Sequence, residues 1–300
     1  MSETAMSVPA AESVWLRAMP LVFVLIWSTG FIVARYGMPY APPMKFLAVR
    51  YALSLVCFAL WVVLSRAAFP KQTSQWLHLG VIGVFMHAGY LGGVWAAVKL
   101  GMGAGLAALL IGLQPVLTAL WIASRGGQVA SRQWLGLALG LAGLAMVVWH
   151  KLSLGEVHAL NVTLALGALL CITIGTLYQK RFLQPCDVRS AIVVQLAAAL
   201  AVTLPLAALE QEAIRWEAPL IGALAWSVLA LSLGASSLLY LMIQRGAATV
   251  VSSLMYLVPP CTAATAWLLF DEPLGVLTLS GMALTALGVY LVVRFTKPLT

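Results

Sequence analysis

Few side chains in this sequence are equipped for chemistry, and those that are stand inside apolar runs. Gly80, Gly83, His87, Tyr90 and Val94 recur at steps of three and four, so on a helix they share one face. With Trp95 beside it, that face is aromatic and able to exchange hydrogen bonds. Two readings of His87 stand side by side. It lines a cavity, or it bonds a neighbouring helix while the glycines let backbones approach. Hydroxyls gather elsewhere: Ser232, Ser236 and Tyr240, then Thr249, Ser252, Ser253 and Tyr256. Thr173 and Thr176 lie three apart, and Trp27 and Phe31 four apart. Taken singly, such hydroxyls join helices or bond their own backbone. Taken together, they describe a pocket with aromatic walls for the body of a small amphipathic solute and polar groups for its head.

That chemistry is binding, not catalysis. Asp271-Glu272 is the one adjacent acidic pair and has no histidine next to it in sequence, so a membrane-embedded transferase lacks its acid–base partners. No catalytic residue is assigned, and no cofactor or metal is expected. The four cysteines (Cys57, Cys171, Cys186, Cys261) have neither metal-site nor disulfide-framework spacing. No carboxylate lies deep in an apolar run. Proton coupling, if used, falls to His87 or the shallower His78 and His158, and facilitated movement is favoured. Arg35 and Lys99 sit near run ends and are expected to snorkel. Arg50, further inside its run, has a structural role or meets a substrate carboxylate, the structural role being preferred.

The elements that position these residues follow from composition. Of 300 residues, 62% are hydrophobic and 9% charged, too few charges to cover a soluble fold of this size. Mean hydropathy is +0.99. The net charge of +8 is spread between apolar runs, which fits membrane topology and gives no nucleic-acid face. Ten spans emerge, at about 17–36, 45–65, 76–98, 102–123, 132–150, 158–179, 188–208, 217–243, 247–269 and 275–295. The runs are continuous and do not alternate, so they are helices and not barrel strands. With the N-terminus inside, eleven Lys and Arg fall on the cytoplasmic side and six outside, placing both termini in the cytoplasm. Trp15, Trp76, Trp134, Trp149 and Trp216 stand at span ends as interfacial anchors.

The two halves repeat. An ungapped shift of 145 residues lays Gly30 on Gly175, Gly89 on Gly234, Gly101 on Gly246, Pro115 on Pro260, Gly136 on Gly281 and Gly143 on Gly288. Five spans per copy is an odd number, so the second copy enters from the opposite face. Inverted repeats are a recurring plan of transporters that bind at mid-membrane. Pro115, next to Gln114, and the pair Pro259-Pro260 fall at matching places in spans four and nine. There they remove backbone hydrogen bonds and are expected to act as hinges.

Phe270-Asp271-Glu272-Pro273-Leu274, followed by Ser280-Gly281 and Leu287-Gly288-Val289, resembles the end of a repeat in EamA-type exporters of the drug/metabolite transporter superfamily. Trp27-Ser28-Thr29-Gly30 is similar to that family's first helix, and Arg50 to an arginine early in its second. Arg125-Gly126-Gly127-Gln128 departs from it, since an acidic residue is usual there. The resemblance implies an all-α basket around a central cavity lined by spans one, three, four, six, eight and nine. Spans five and ten would be peripheral and available for a homodimer. The expected organisation is a cytoplasmic tail at 1–16, a first repeat at 17–151, a linker at 152–157, a second repeat at 158–296 and a short tail at 297–300. The expected activity is inner-membrane export of small metabolites, amino acids and aromatic ones among them, with lipophilic cations as the alternative cargo. Substrate contact is assigned to Trp27, Phe31, His87, Tyr90, Trp95, Gln114, Thr173, Thr176, Ser236, Tyr240, Ser253 and Tyr256.

Overall fold

A computed structural model describes residues 10–126, 131–153, 155–238 and 257–294 of the chain. Among these residues every regular element is helical. The helices are α1 (Ala10–Gly37), α2 (Pro43–Ser65), α3 (Thr73–Lys99) and α4 (Ala104–Trp121, running on to Ser124). Next come α5 (Ser131–Ser153), α6 (Ala159–Phe182), α7 (Val188–Leu209) and α8 (Ala218–Leu238). The last two are α9 (Val258–Phe270) and α10 (Val276–Arg294). Eight are long and apolar enough to cross a bilayer, and the described parts of α9 and α10 are shorter apolar helices. Helix α1 begins at Ala10, inside the segment expected to be tail.

Burial follows the requirement that lipid, unlike water, wets apolar side chains. On α2, Leu53, Val56, Leu60 and Val63 form an exposed stripe, while Leu47, Arg50, Tyr51, Ser54 and Phe58 turn inward. The polar residues are therefore on the inside of the bundle, as a protein solvated by hydrocarbon requires.

Helix contacts obey a pseudo-two-fold. Replacing each helix by its counterpart five places on turns α3 with α6 into α8 with α1, α3 with α7 into α8 with α2, and α4 with α6 into α9 with α1. Each of those packings occurs, and α2 with α7, α4 with α9 and α5 with α10 map onto themselves. The closest approach repeats the symmetry at atomic scale. A Cβ added to Gly143 would fall on the Gly281 carbonyl, and one added to Gly288 on the Gly136 carbonyl. The 145-residue shift converts the first contact into the second. The fold is two five-helix repeats, oppositely threaded, with α5 and α10 packed together through small residues.

Two irregularities are also symmetric. Helix α3 widens to π-helical turns over Val84–Gly89, and α8 does so over Ser227–Ala235. The first segment shifted by 145 lies wholly within the second. Such turns insert a residue into an α-helix and rotate the side chains beyond it about the axis. Helix α4 breaks between Ile111 and Gln114, where Pro115 has no N–H for the Ile111 carbonyl. Across that break, a Cβ on Gly112 would stand 3.1 Å from the Pro259 ring.

Candidate functional site

A cavity of about 290 Å³ lies where the repeats meet. Helix α1 contributes Trp27, Gly30 and Phe31, α2 contributes Arg50, Tyr51 and Phe58, and α3 contributes Met86, His87, Tyr90, Leu91 and Trp95. From the second repeat come Ile172 and Gln179 of α6, Ile192, Gln195 and Leu196 of α7, and Leu231, Ser232 and Ser236 of α8, with Val188 at the start of α7. Its described lining residues come from six helices, three from each repeat.

His87 owes its place to the wide turn of α3. Its ring stands edge-on to Tyr51, centroids 6.0 Å apart, and the Tyr51 hydroxyl donates to the His87 carbonyl at 2.8 Å. Ser232, the residue equivalent to His87 under the repeat, occupies the wide turn of α8 and donates to the Ser227 carbonyl at 3.0 Å. Both wide turns therefore present a polar side chain to one chamber. The same widening divides the face read from helical spacing. Gly80 and Gly83 point at α7, meeting Ala198 and the Gln195 backbone, and Val94 is packed in the core. His87 and Tyr90 turn to the cavity instead.

Arg50 is buried against the ring of Trp95, its guanidinium carbon 5.5 Å from the centroid. Among the described residues no helix-end carbonyl receives its Nε or Nη1, which is where the structural role preferred from sequence would have placed them.

Of the residues assigned to substrate from sequence, Trp27, Phe31, His87, Tyr90, Trp95 and Ser236 meet at this cavity. Gln114 stands apart and donates from Nε2 to the Thr176 hydroxyl at 2.8 Å, joining α4 to α6. Thr176 itself donates to the Ile172 carbonyl of its own helix at 2.7 Å, so its hydroxyl is engaged both across to α4 and within α6. Thr173 lines a second cavity of about 910 Å³ on the flank between α4 and α6, with Arg125, Lys180 and Arg181 among its lining residues. Tyr240, Ser253 and Tyr256 lie outside the described residues. The expected roster of lining helices changes too. Helices α2 and α7 line the chamber, while none of its described lining residues comes from α4 or α9. The described start of α4 is packed against α9, leaving α2 and α7 to close the chamber.

Tyr51, Met86, Gln179 and Gln195 complete the polar and adaptable wall without having been singled out from sequence, and Ser232, one of the hydroxyls read as a pocket set, joins them. A glutamine inside an apolar run, as at Gln195, is the signal that could have found one of them. His78 and His158 are occupied elsewhere. His78 Nδ1 lies 2.8 Å from the Tyr178 hydroxyl, and His158 caps α6 while its Nε2 lies 2.9 Å from the Leu100 carbonyl.

Polar and aromatic contacts join the helices at one end of the bundle. Lys99 does more than snorkel: its ammonium meets Glu212 at 2.7 Å and donates to the Met38 carbonyl at 2.9 Å. The Glu210 carboxylate accepts from the backbone N–H groups of Met44 at 3.0 Å and Lys45 at 2.8 Å, capping α2. Tyr36 packs on Phe270 with ring centroids 4.9 Å apart, joining α1 to α9 at the same end.

Known proteins resemble this arrangement in sequence and in fold. The sequence matches the EamA-like transporter family over residues 16–149 and again over 159–294. An uncharacterized transporter of Bacillus subtilis (strain 168) is 26% identical over 277 residues, covering 90% of this chain and 88% of its own length. A probable amino-acid metabolite efflux pump of Salmonella typhimurium is 27% identical over 165 residues, covering 55% of this chain and 53% of its own. One solved structure shares the fold with a TM-score of 0.62 at 18% identity, covering 91% of this chain and 95% of its own.

Proposed function

We propose, from the premise that this chain belongs to the EamA-like transporter family, that it exports small metabolites, amino acids and aromatic ones among them, by alternating access around the central cavity. The chain is a multi-pass membrane transporter, and its partners are a small-molecule substrate and the bilayer. The observation that carries the finer reading is the chamber itself. Both repeats build it, its walls are aromatic and aliphatic, and its polar groups are few and convergent. The relatives described as probable amino-acid metabolite efflux pumps, from Salmonella typhimurium and Escherichia coli, support the cargo.

In this reading the two repeats rock about the chamber. The interruption of α4 at Pro115 and the start of α9 at Pro259 and Pro260 take up the bending. Trp27, Phe31, Tyr90 and Trp95 hold the solute's body, and His87, Ser232 and Ser236 orient its polar end. The membrane is the cell inner membrane with both termini cytoplasmic, as the excess of Lys and Arg on that side supports. A homodimer through the peripheral pair α5 and α10 belongs to the same proposal. Lipophilic cations fit less well, because none of the described lining residues is Asp or Glu and one is arginine.

Counterflow into proteoliposomes tests this, with tryptophan, phenylalanine, threonine and a quaternary ammonium dye in parallel. Exchange of the amino acids and exclusion of the dye is the expected result. Dye uptake with no amino-acid exchange would replace this reading by the multidrug one. Equal flux with and without a pH gradient would assign facilitated movement.

A further inference from the structure

Arg50 is 7% exposed, yet its Nε and Nη1 have no hydrogen-bond partner among the described residues. A buried guanidinium ordinarily finds a carboxylate or a set of carbonyls, because leaving water uncompensated is costly. The Trp95 ring returns only part of that cost. Tyr51, the next residue, has already given its hydroxyl proton to the His87 carbonyl. The Trp95 indole Nε1 is a second buried donor without an acceptor among the described residues. None of the described residues lining the chamber carries a carboxylate. One wall therefore holds donors in excess, a fixed positive charge, and an aromatic surface continuous with both.

We propose that Arg50 anchors a carboxylate and that the substrate class is an amphipathic monocarboxylate with an aromatic or branched apolar body, its amino group dispensable. The inference rests on the reading of the central cavity as the transport site. A planar guanidinium pairs both oxygens of a carboxylate at once, which fixes orientation as well as charge. Trp27, Phe31 and Tyr90 then border the apolar body. An ammonium group finds no counter-charge among the described lining residues and shares the chamber with Arg50. Removing the amine thus leaves the main attraction intact, whereas removing the carboxylate leaves two like charges together. Amino acids remain substrates through their carboxylate, and deaminated acids join them.

The test uses wild-type protein in liposomes at neutral pH, with protein-free vesicles as baseline. Phenylalanine, 3-phenylpropionate and phenylethylamine are each offered as labelled substrate and as competitor. Exchange of the first two, with phenylethylamine altering their uptake less than about twofold, is expected. Arg50→Lys, keeping charge without the fork, should weaken 3-phenylpropionate uptake about tenfold or more, and Arg50→Gln should abolish it. If phenylethylamine competes as well as the acid, or a folded Arg50→Gln protein takes up 3-phenylpropionate normally, the anchor is wrong while the transport reading stands. If none of the three is exchanged, the reading of the cavity falls and the anchor with it. Should Arg50→Gln fail to fold, the ligand series on the wild type decides alone.

Discussion

The carboxylate of Glu272, at the end of α9, accepts the backbone N–H of Ala104 at 2.9 Å and so caps α4, a helix of the other repeat. Its second oxygen lies 3.5 Å from the Gly105 nitrogen. The pairing places a negative charge at the positive end of a helix dipole. It also gives the Asp271-Glu272 turn a structural task. Glu272 is buried, and a side chain at Gly103 would press on it.

Glu272→Ala should cost about 1–2 kcal/mol of stability by leaving the first N–H groups of α4 unbonded. Glu272→Gln keeps an acceptor without the charge and should fall between the two. Thermal unfolding in detergent reads the order wild type, Gln, Ala. An alanine variant that melts with the wild type would show that α4 needs no cap from α9.

The α5–α10 seam has almost no slack, since Gly288 faces the Gly136 carbonyl and the Gly140 backbone. Gly288→Leu should force the helices apart and destabilise by about 1–3 kcal/mol or more. Among the described residues, Gly167 on α6 has nothing within 4 Å of an added Cβ. Gly167→Ala should therefore be neutral or stabilising by up to about 1 kcal/mol, by helix propensity alone. Size-exclusion profiles and melting curves of the two variants should diverge in those directions. Similar losses in both would mean that glycine flexibility, not close packing, matters at Gly288.

Spans, repeat and inversion were legible because each depends on a property that survives in one dimension. Apolar length marks a helix in lipid, and glycines at 136 and 143 recur 145 residues later because the α5–α10 seam makes the same close approach in both copies. The chamber was half legible. Its aromatic residues and His87 stood out, but helical spacing grouped His87 with Gly80 and Gly83. The wide turn at Val84–Gly89 separates them, and nothing in the residue types announces it. Gln114 and Thr176 read from sequence as cavity polars, whereas Gln114 donates to Thr176 across α4 and α6, a pairing set by how those helices dock. Arg50 could not be settled from sequence, because a sequence does not say which groups partner its Nε and Nη1, and among the described residues none does.

Asp187 caps α7, accepting from the Arg189 backbone at 2.9 Å and pairing with its guanidinium at 2.7 Å. The Arg189 side-chain hydrogen bond, aided by that backbone N–H, holds the carboxyl below its ordinary value. A group depressed on folding stabilises the protein above its unfolded pKa, about 3.9, and the benefit vanishes as pH falls through the folded value. Wild type minus Asp187→Asn, measured as melting temperature, should therefore be positive at neutral pH and shrink towards zero below about pH 4. A difference that does not change with pH would show that the charge contributes nothing beyond the cap.

Gly30 offers the sharpest separation of the two cavities. On α1 its added Cβ would only touch Leu231, 3.9 Å away, and the residue lines the central chamber. Gly30→Ala should thus fold and retain most transport. Gly30→Phe extends a ring into a space of about 290 Å³, enough to displace a solute of amino-acid size, and should cut exchange about tenfold or more. Ile174 is exposed on the flank between α4 and α6 and lines the larger cleft, so Ile174→Trp obstructs that space without reaching the chamber. If the solute crosses between the repeats, Gly30→Phe blocks and Ile174→Trp does not. The opposite pattern in a counterflow assay, with both proteins monodisperse, would move the pathway to the flank. It would also leave Arg50 facing a chamber that no substrate enters.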